Sequence, residues 1–261
     1  GDAQWTLIIA GLVVGSVIGI IMAIRVEMTG MPELVALFNG FGGAASALVA
    51  LSESWKYIED ADLVLPTGLN IQVIMVAAGL SALVGWMTLT GSILAMFKLK
   101  GGISVFGKWM KTPTWGPTWL NPVKVLLVLS VFALIYLSIG DPRNTDYLWA
   151  IIVISCILGI VLVLPIGGAD MPVVVSLLNS LSGIAAAFTG FIIGNSVLIV
   201  AGSLVGASGL ILTFIMCKAM NRTLPDVLFK SFGGSGEKAQ LTRTKVGSDA
   251  DEVAMMVDGA Q

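Results

Sequence analysis

Seven stretches of this sequence are apolar for long enough to cross a lipid bilayer, and that fact limits the fold more than any motif does. They run from about 5 to 24, 32 to 51, 70 to 97, 122 to 140, 147 to 165, 172 to 193 and 197 to 217. A hydrocarbon core of roughly 30 Å takes about 20 residues at about 1.5 Å of rise each. Main-chain polar groups inside hydrocarbon must find their partners within the segment, so each stretch is predicted to be a helix and the chain an all-α, polytopic transmembrane helix bundle. Composition agrees. Of 261 residues, 56% are hydrophobic and 11% charged, where a soluble domain carries roughly 25% charged residues.

The first stretch has neither the basic start nor the small-residue cleavage pattern of a signal peptide. Its GLVVGSVIG places a glycine at every fourth position, a spacing that lets two helix backbones approach closely, so this helix is expected to be packed. The chain begins on Gly1 and is read as part of a longer protein. Cys156 lies inside a predicted span and Cys217 at the end of another, which argues against a disulfide framework.

Charge placement suggests an orientation. With the C-terminal tail in the cytoplasm, seven spans put the N-terminus outside. Arg25, Lys98, Lys100, Lys108, Lys111, Lys124, Lys218 and Arg222 then fall inside, with only Lys56 and Arg143 outside. The outer 52 to 69 loop is acidic, carrying Glu53, Glu59, Asp60 and Asp62. Basic residues gather on the inner side of membrane proteins in this way. Trp5, Trp55, Trp86 and Trp149 are read mostly as belt residues near the ends of the runs. The inner 98 to 121 segment, basic and broken by glycine and proline, is expected to be a loop. Two domains follow from the composition: a transmembrane domain over 1–222, and a flexible cytoplasmic linker over 223–261 that is rich in glycine and charge.

Residues 26–43, VEMTGMPELVALFNGFGG, and 166–183, IGGADMPVVVSLLNSLSG, say nearly the same thing. A shift of 140 lays Met31-Pro32 on Met171-Pro172, Asn39 on Asn179 and Gly43 on Gly183. A shift of 118 lays Thr90-Gly91 on Ser208-Gly209. Two helix pairs are therefore expected to be parallel repeats, related by an axis along the membrane normal.

Pro32 and Pro172 suit the opening of a helix, where the missing N–H is not needed. Counting from them puts Asn39 and Asn179 roughly 10 Å into the hydrocarbon. An amide there requires a hydrogen-bond partner or water. One reading makes the two asparagines interhelical glue. The other makes them the lining of an ion or proton path, together with Thr88, Thr90, Ser92 and Ser208 in a single hydrated seam. Proton transfer needs a titrating group, and the chain has no histidine. Glu33 and Asp170 are the nearest acids. Each is read either as a capping residue at a helix N-terminus or as a proton carrier.

Soluble-enzyme chemistry is absent from the sequence: there is no phosphate-binding Walker loop, no cluster of metal ligands and no nucleophile elbow. The glycines of GLVVGSVIG follow no strand, so they are not a dinucleotide loop.

VEMTGMPELVALFNGFGG, TLTGSILAMFK, IGGADMPVVVSLLNSLSG and LVGASGLILTFIMCKAMNRT, in that order, resemble the membrane domain of the β subunit of proton-translocating NAD(P) transhydrogenase, from about residue 5 to 232. The resemblance implies a chain that moves protons, while hydride passes between NAD(H) and NADP(H) held by partner domains. The chain itself would hold no cofactor and no metal. Asn39 stands where many members of the family have a membrane histidine; members without it use one on a helix of the partner α subunit. The same resemblance places Asn179, Ser92, Gly91 and Gly209 near the proton path. It places Asp170, Lys218 and Arg222, with Glu33 beside them, at the face that meets the NADP(H)-binding domain. The implied partners are the α subunit's membrane helices and NAD(H)-binding domain, the NADP(H)-binding domain of the same subunit, a second αβ unit and the lipid of a bacterial inner membrane. No nucleic acid is expected.

Two rivals stand beside this reading. One is a secondary transporter with parallel repeats for a small solute or cation, and the other is a passive membrane anchor.

Overall fold

The computed structural model describes residues 2–59, 70–105, 108–110 and 114–229. The chain is a multi-pass membrane protein, and among the described residues seven helices are long and apolar enough to cross a bilayer. These are α1 (Asp2–Arg25), α2 (Met31–Glu59), α3 (Ile71–Leu99), α4 (Leu120–Gly140), α5 (Asp146–Val163), α6 (Met171–Ile193) and α7 (Ser196–Ala219); a short α8 (Leu224–Phe229) follows. In the loop between α3 and α4, β1 (Ile103–Val105) pairs antiparallel with β2 (Lys108–Met110). The 98 to 121 segment expected to be loop throughout thus contains a small strand pair.

The two Met-Pro sites open their helices in the same way. A single 3-10 turn, Met28–Gly30 or Gly168–Asp170, leads directly into Met31 of α2 or Met171 of α6. Proline in second place forgoes an N–H that has no carbonyl to reach. At the far end of α6, Gly194 adopts φ 71°, and Asn195 begins α7 by accepting from the Leu198 amide at 3.1 Å. A left-handed glycine followed at once by a capping asparagine turns the chain back sharply, so α6 and α7 are antiparallel neighbours.

Helix α2 passes its expected end at 51 and continues to Glu59. Tyr57 and Ile58 are buried there with Ile74, Met75, Leu148 and Ile192, and this burial holds the extra turns helical. Glu53 and Glu59 therefore sit on a helix rather than in a loop. The expected loop residues Asp60 and Asp62 lie outside the described residues, as does Lys111.

Helix α3 forms the centre of the bundle, with α2, α5 and α6 packed around it. Its most apolar window is 61% buried, whereas that of α1 is 0% buried. Hydrogen bonds fix the directions. Asn39 meets Val175 and Ser46 meets Thr189, so α2 and α6 run parallel. Thr90 meets Cys156 and Lys98 meets Val163, so α3 and α5 run parallel to each other.

Glycines set the closest approaches. A Cβ on Gly183 would stand 2.6 Å from the Gly206 amide nitrogen and 2.9 Å from the Gly202 carbonyl oxygen. A Cβ on Gly43 would stand 3.0 Å from the Gly85 carbonyl oxygen. The α6/α7 and α2/α3 pairs thus touch backbone to backbone, the packing that small residues permit where lipid removes the hydrophobic driving force.

Helix α1 departs from expectation. Gly11, Gly15 and Gly19 face open space, and no residue from Trp5 to Arg25 is buried. Its ridge is spaced for a partner, but no helix among the described residues fills it. Trp86 also departs from the belt reading: it lies within α3, and its indole N–H is buried without a hydrogen-bond partner. Trp55 and Trp149 do meet, edge to face, at 6.4 Å near the far end of the bundle.

The chain is helical again beyond residue 223. Val227 of α8 is buried with Val163, Ile166, Met171 and Cys217, so residues 224–229 belong to the bundle. The rest of the expected linker, 230–261, lies outside the described residues.

Candidate functional site

The parallel course of α2 and α6 brings the two intramembrane asparagines to one cavity. It has a volume of about 480 Å³ and is walled by Pro32, Val35 and Asn39 from α2, Pro172, Val175, Ser176 and Asn179 from α6, and Leu212 and Met216 from α7. Seven residues separate each proline from its asparagine, close to two helical turns, so both side chains fall on the face that lines the cavity. Farther along the same three helices a second cavity of about 290 Å³ lies between Gly42 and Ser46 of α2, Ser182 and Ala186 of α6, and Gly202 of α7. Together they form a furrow along the bundle, apolar but studded with amides and hydroxyls.

Asn39 donates to the Val175 carbonyl at 3.3 Å. That bond uses one of the amide's four hydrogen-bonding positions. On the α6/α7 side the hydroxyls bind main chain: Ser176 donates to Gly209 O at 3.2 Å, Thr213 donates to Gly209 O at 2.8 Å, and Ser180 donates to Gly206 O at 2.5 Å. The two serine bonds stitch α6 to α7 beside the cavity.

The hydroxyls expected to form one seam are divided among several faces. Thr88 is buried and donates to Val84 of its own helix, while Thr90 donates to Cys156 on α5. Ser208 bonds Val205 on the exposed side of α7. Positions two apart on a helix point nearly opposite ways, which is why Thr88 and Thr90 part company. Ser92 shares the Thr88 face, fully buried against Gly40, and its hydroxyl has no hydrogen-bond partner. Gly91 packs against Leu178 and Val163, and Gly209 against the main chain of Ser180. The structure therefore brings Asn39 and Asn179 to one cavity, with Ser92, Gly91 and Gly209 in the packed helix contacts around it.

The charged residues gather at the end of the bundle where α8 lies. Asp170 holds the N-cap position of α6, yet its side chain makes no capping bond. It is 3% exposed, with Oδ2 at 3.4 Å from Nη1 of Arg222 and Oδ1 buried without a hydrogen-bond partner. The capping reading of Asp170 is thus replaced by an ion pair joining the start of α6 to the end of α7. Glu33 lies in the first turn of α2, half-buried. Lys218 and Arg222, with Asn221, line a further cavity of about 420 Å³. Asn221 adopts φ 52°, in the left-handed region that asparagine tolerates better than most residues.

Two polar arrangements escaped sequence reasoning. Lys98, counted there only as a basic residue, is buried, and its ammonium donates to Val163 O at 3.0 Å, to Ile166 O at 2.7 Å and to Leu164 O. It thereby closes the C-terminal carbonyls of α5 and holds the strand of chain that leads to Asp170. Thr189 donates to Ser46 O at 2.9 Å and lies 2.9 Å from Ser81 Oγ, which links α2, α3 and α6 in the other half of the bundle. The available sequence signal was a hydroxyl at mid-helix in α3 and in α6; that the two met, beside a main-chain carbonyl of α2, was a matter of tertiary structure.

The GLVVGSVIG glycines lie inside the continuous helix α1, so they form no phosphate-binding loop. A family model described as NAD(P) transhydrogenase beta subunit matches residues 1–261. Two curated proteins named NAD(P) transhydrogenase subunit beta, both from Rhodospirillum rubrum, one of them from strain ATCC 11170, are each 36% identical over 261 aligned residues, covering 97% of this chain and 54% of the relative. The chain spans about half the length of these relatives. From residue 1 to 261, then, the chain belongs to the NAD(P) transhydrogenase beta subunit family.

Proposed function

We propose that this chain is the proton-conducting membrane domain of an enzyme that couples hydride transfer between NAD(H) and NADP(H) to proton translocation. The observation that carries the reading is the cavity shared by Asn39 and Asn179. Two amides at equal depth in hydrocarbon are costly unless water or a polar partner reaches them, and a cavity gives room for either. The parallel course of α2 and α6, with Gly43 and Gly183 each pressed on the helix that follows, supports the repeat reading as well.

In this reading the proton carrier comes from another chain, and Glu33 and Asp170 serve coupling instead of carrying the proton. Asparagine does not titrate at working pH, and the chain has no histidine. The furrow along α2, α6 and α7 is apolar with amides and hydroxyls at intervals, which suits a membrane helix of the α subunit bearing a titratable side chain. Asn39 and Asn179 would orient that group and its water; Ser92, Gly91 and Gly209 would set the helix spacing around them. A change of charge there alters the packing of α6, whose first residue adjoins Asp170. The Asp170–Arg222 pair, with Glu33 and Lys218 at the same end, would pass the change to the NADP(H)-binding domain. Such coupling is reciprocal, so nucleotide occupancy must bias protonation in return.

In this reading both nucleotides bind to domains outside residues 1–222, the residues after 229 lead toward the NADP(H)-binding domain, and two αβ units assemble in a bacterial inner membrane. The N-terminus faces outward and the C-terminus the cytoplasm. The test is forward and reverse transhydrogenation by the complete complex in sealed vesicles, with and without a proton gradient. Rates that ignore the gradient would remove the assignment.

A further inference from the structure

Helix α8 has only six residues, too few to be stable alone. Its position is nevertheless closely determined. The Thr223 hydroxyl accepts from the Asp226 amide at 3.3 Å at its start, and Val227 is buried in the bundle core. At its end the two last carbonyls, which no helical N–H can reach, are both taken by side chains of α4. Asn121 Nδ2 donates to Phe229 O at 2.7 Å and Lys124 Nζ donates to Leu228 O at 2.7 Å. The Lys124 ammonium also stands 5.7 Å from the centroid of the Phe229 ring.

Lys124 is an unusual residue for its place. It is 3% exposed and lies near the N-terminus of α4, where the dipole of its own helix disfavours a cation. The C-terminal carbonyls of α8 supply the opposite field, so the lysine and the short helix each answer a demand of the other. A local rule broken at one helix and satisfied by a second marks a contact held for position.

We propose that Asn121 and Lys124 form a clamp that fixes α8 against the start of α4, making both of them positioning residues for communication between the bundle and the NADP(H)-binding domain of the proposed enzyme. Arg222 and the Asp170 pair lie just upstream of α8, so the clamp holds the last of the described residues, on the C-terminal side of the proposed proton site. The role in communication rests on the proton-coupling function proposed above; the clamp itself rests on the two hydrogen bonds.

The experiment uses the complete α and β complex in sealed vesicles, comparing wild type with Lys124→Met, Lys124→Arg and Asn121→Ala. Two quantities are read: amide hydrogen exchange of peptides covering residues 224–229, and the ratio of transhydrogenation rates with and without a proton gradient. Lys124→Met keeps the apolar stem and removes the charge, so exchange should accelerate about tenfold, as loss of one charge-assisted hydrogen bond implies. The gradient ratio should fall about threefold, within the usual range of coupling energies, and Lys124→Arg should restore it. Asn121→Ala should shift both in the same direction by less, and it decides the matter if Lys124→Met does not assemble. Unchanged exchange overturns the clamp. Faster exchange with a wild-type gradient ratio overturns its role in communication and leaves a structural bond. A wild-type enzyme indifferent to the gradient defeats the proton-coupling function instead, and the exchange data then judge the clamp by themselves.

Discussion

Asn39 of α2 donates its side-chain amide across 3.3 Å to the main-chain carbonyl of Val175 on α6, one helical turn before Asn179 on the same cavity wall. The bond crosses between two helices that run in parallel, and it lies at the depth where lipid would surround either amide if the helices parted. Replacing Asn39 with leucine removes the bond and fills part of the cavity with apolar carbon. The bundle should lose only about 1 kcal/mol, the usual worth of an interhelical polar contact. Gradient-driven transhydrogenation by the complete enzyme should fall at least about tenfold, a loss of about 1.4 kcal/mol in barrier terms. A leucine variant with normal coupling would return the asparagines to the role of glue.

Neighbouring positions along the furrow predict different outcomes for the same substitution. Gly183→Ala drives a methyl group into the main chain of Gly206 and Gly202, whereas Gly42→Ala meets nothing within 4 Å. The first should destabilise the purified complex by about 1–3 kcal/mol, the range for forced overpacking, and the second by less, because its methyl group meets no atom of this chain. Thermal unfolding in detergent measures both. Equal melting temperatures for the two variants would show that α6 and α7 are not in backbone contact.

Lys98 satisfies carbonyls of Val163, Leu164 and Ile166 with one ammonium. Lys98→Met leaves those acceptors buried and unmet, at about 1–3 kcal/mol for each group that water does not reach. Lys98→Arg keeps the charge, but a planar fork cannot converge on three carbonyls as a tetrahedral ammonium does, so it should recover only part of the loss. Unfolding of the two variants in parallel gives the order, with arginine expected between wild type and methionine. Complete recovery by arginine would show that charge alone matters and the threefold cap does not.

Ser81 and Thr189 lie 2.9 Å apart between buried faces of α3 and α6, and Thr189 also reaches Ser46 O on α2. Ser81→Ala and Thr189→Val should each cost about 1 kcal/mol, and the double variant less than their sum, with a coupling of about 0.6 kcal/mol. A double-mutant cycle on unfolding supplies the number. Strict additivity would mean that the two hydroxyls are bonded to main chain only.

Much of this protein could be read before any coordinates. The seven helices, their approximate ends and the prominence of Asn39 and Asn179 follow from one rule: hydrocarbon tolerates neither unpaired main chain nor unexplained amides. Where the reading fell short, a distant partner was the cause. Helix α2 runs on to Glu59 because Tyr57 and Ile58 find Ile74 and Leu148, and α8 exists because Asn121 and Lys124 reach it from α4. Thr88, Thr90 and Ser208 look alike in sequence, yet they face the α2 side of α3, α5 and the exposed surface of α7.

The sequence by itself determined that the chain crosses the membrane, how many times, and which side chains hydrocarbon would not leave unsatisfied, because those are properties of single segments in a low-dielectric solvent. Tertiary structure alone decided that the two asparagines share a cavity, that Asp170 is paired with Arg222 rather than capping its helix, and that Lys98 closes α5. Those outcomes depend on helix direction and rotation, which glycine contacts such as Gly183 against Gly202 fix and which no single segment encodes.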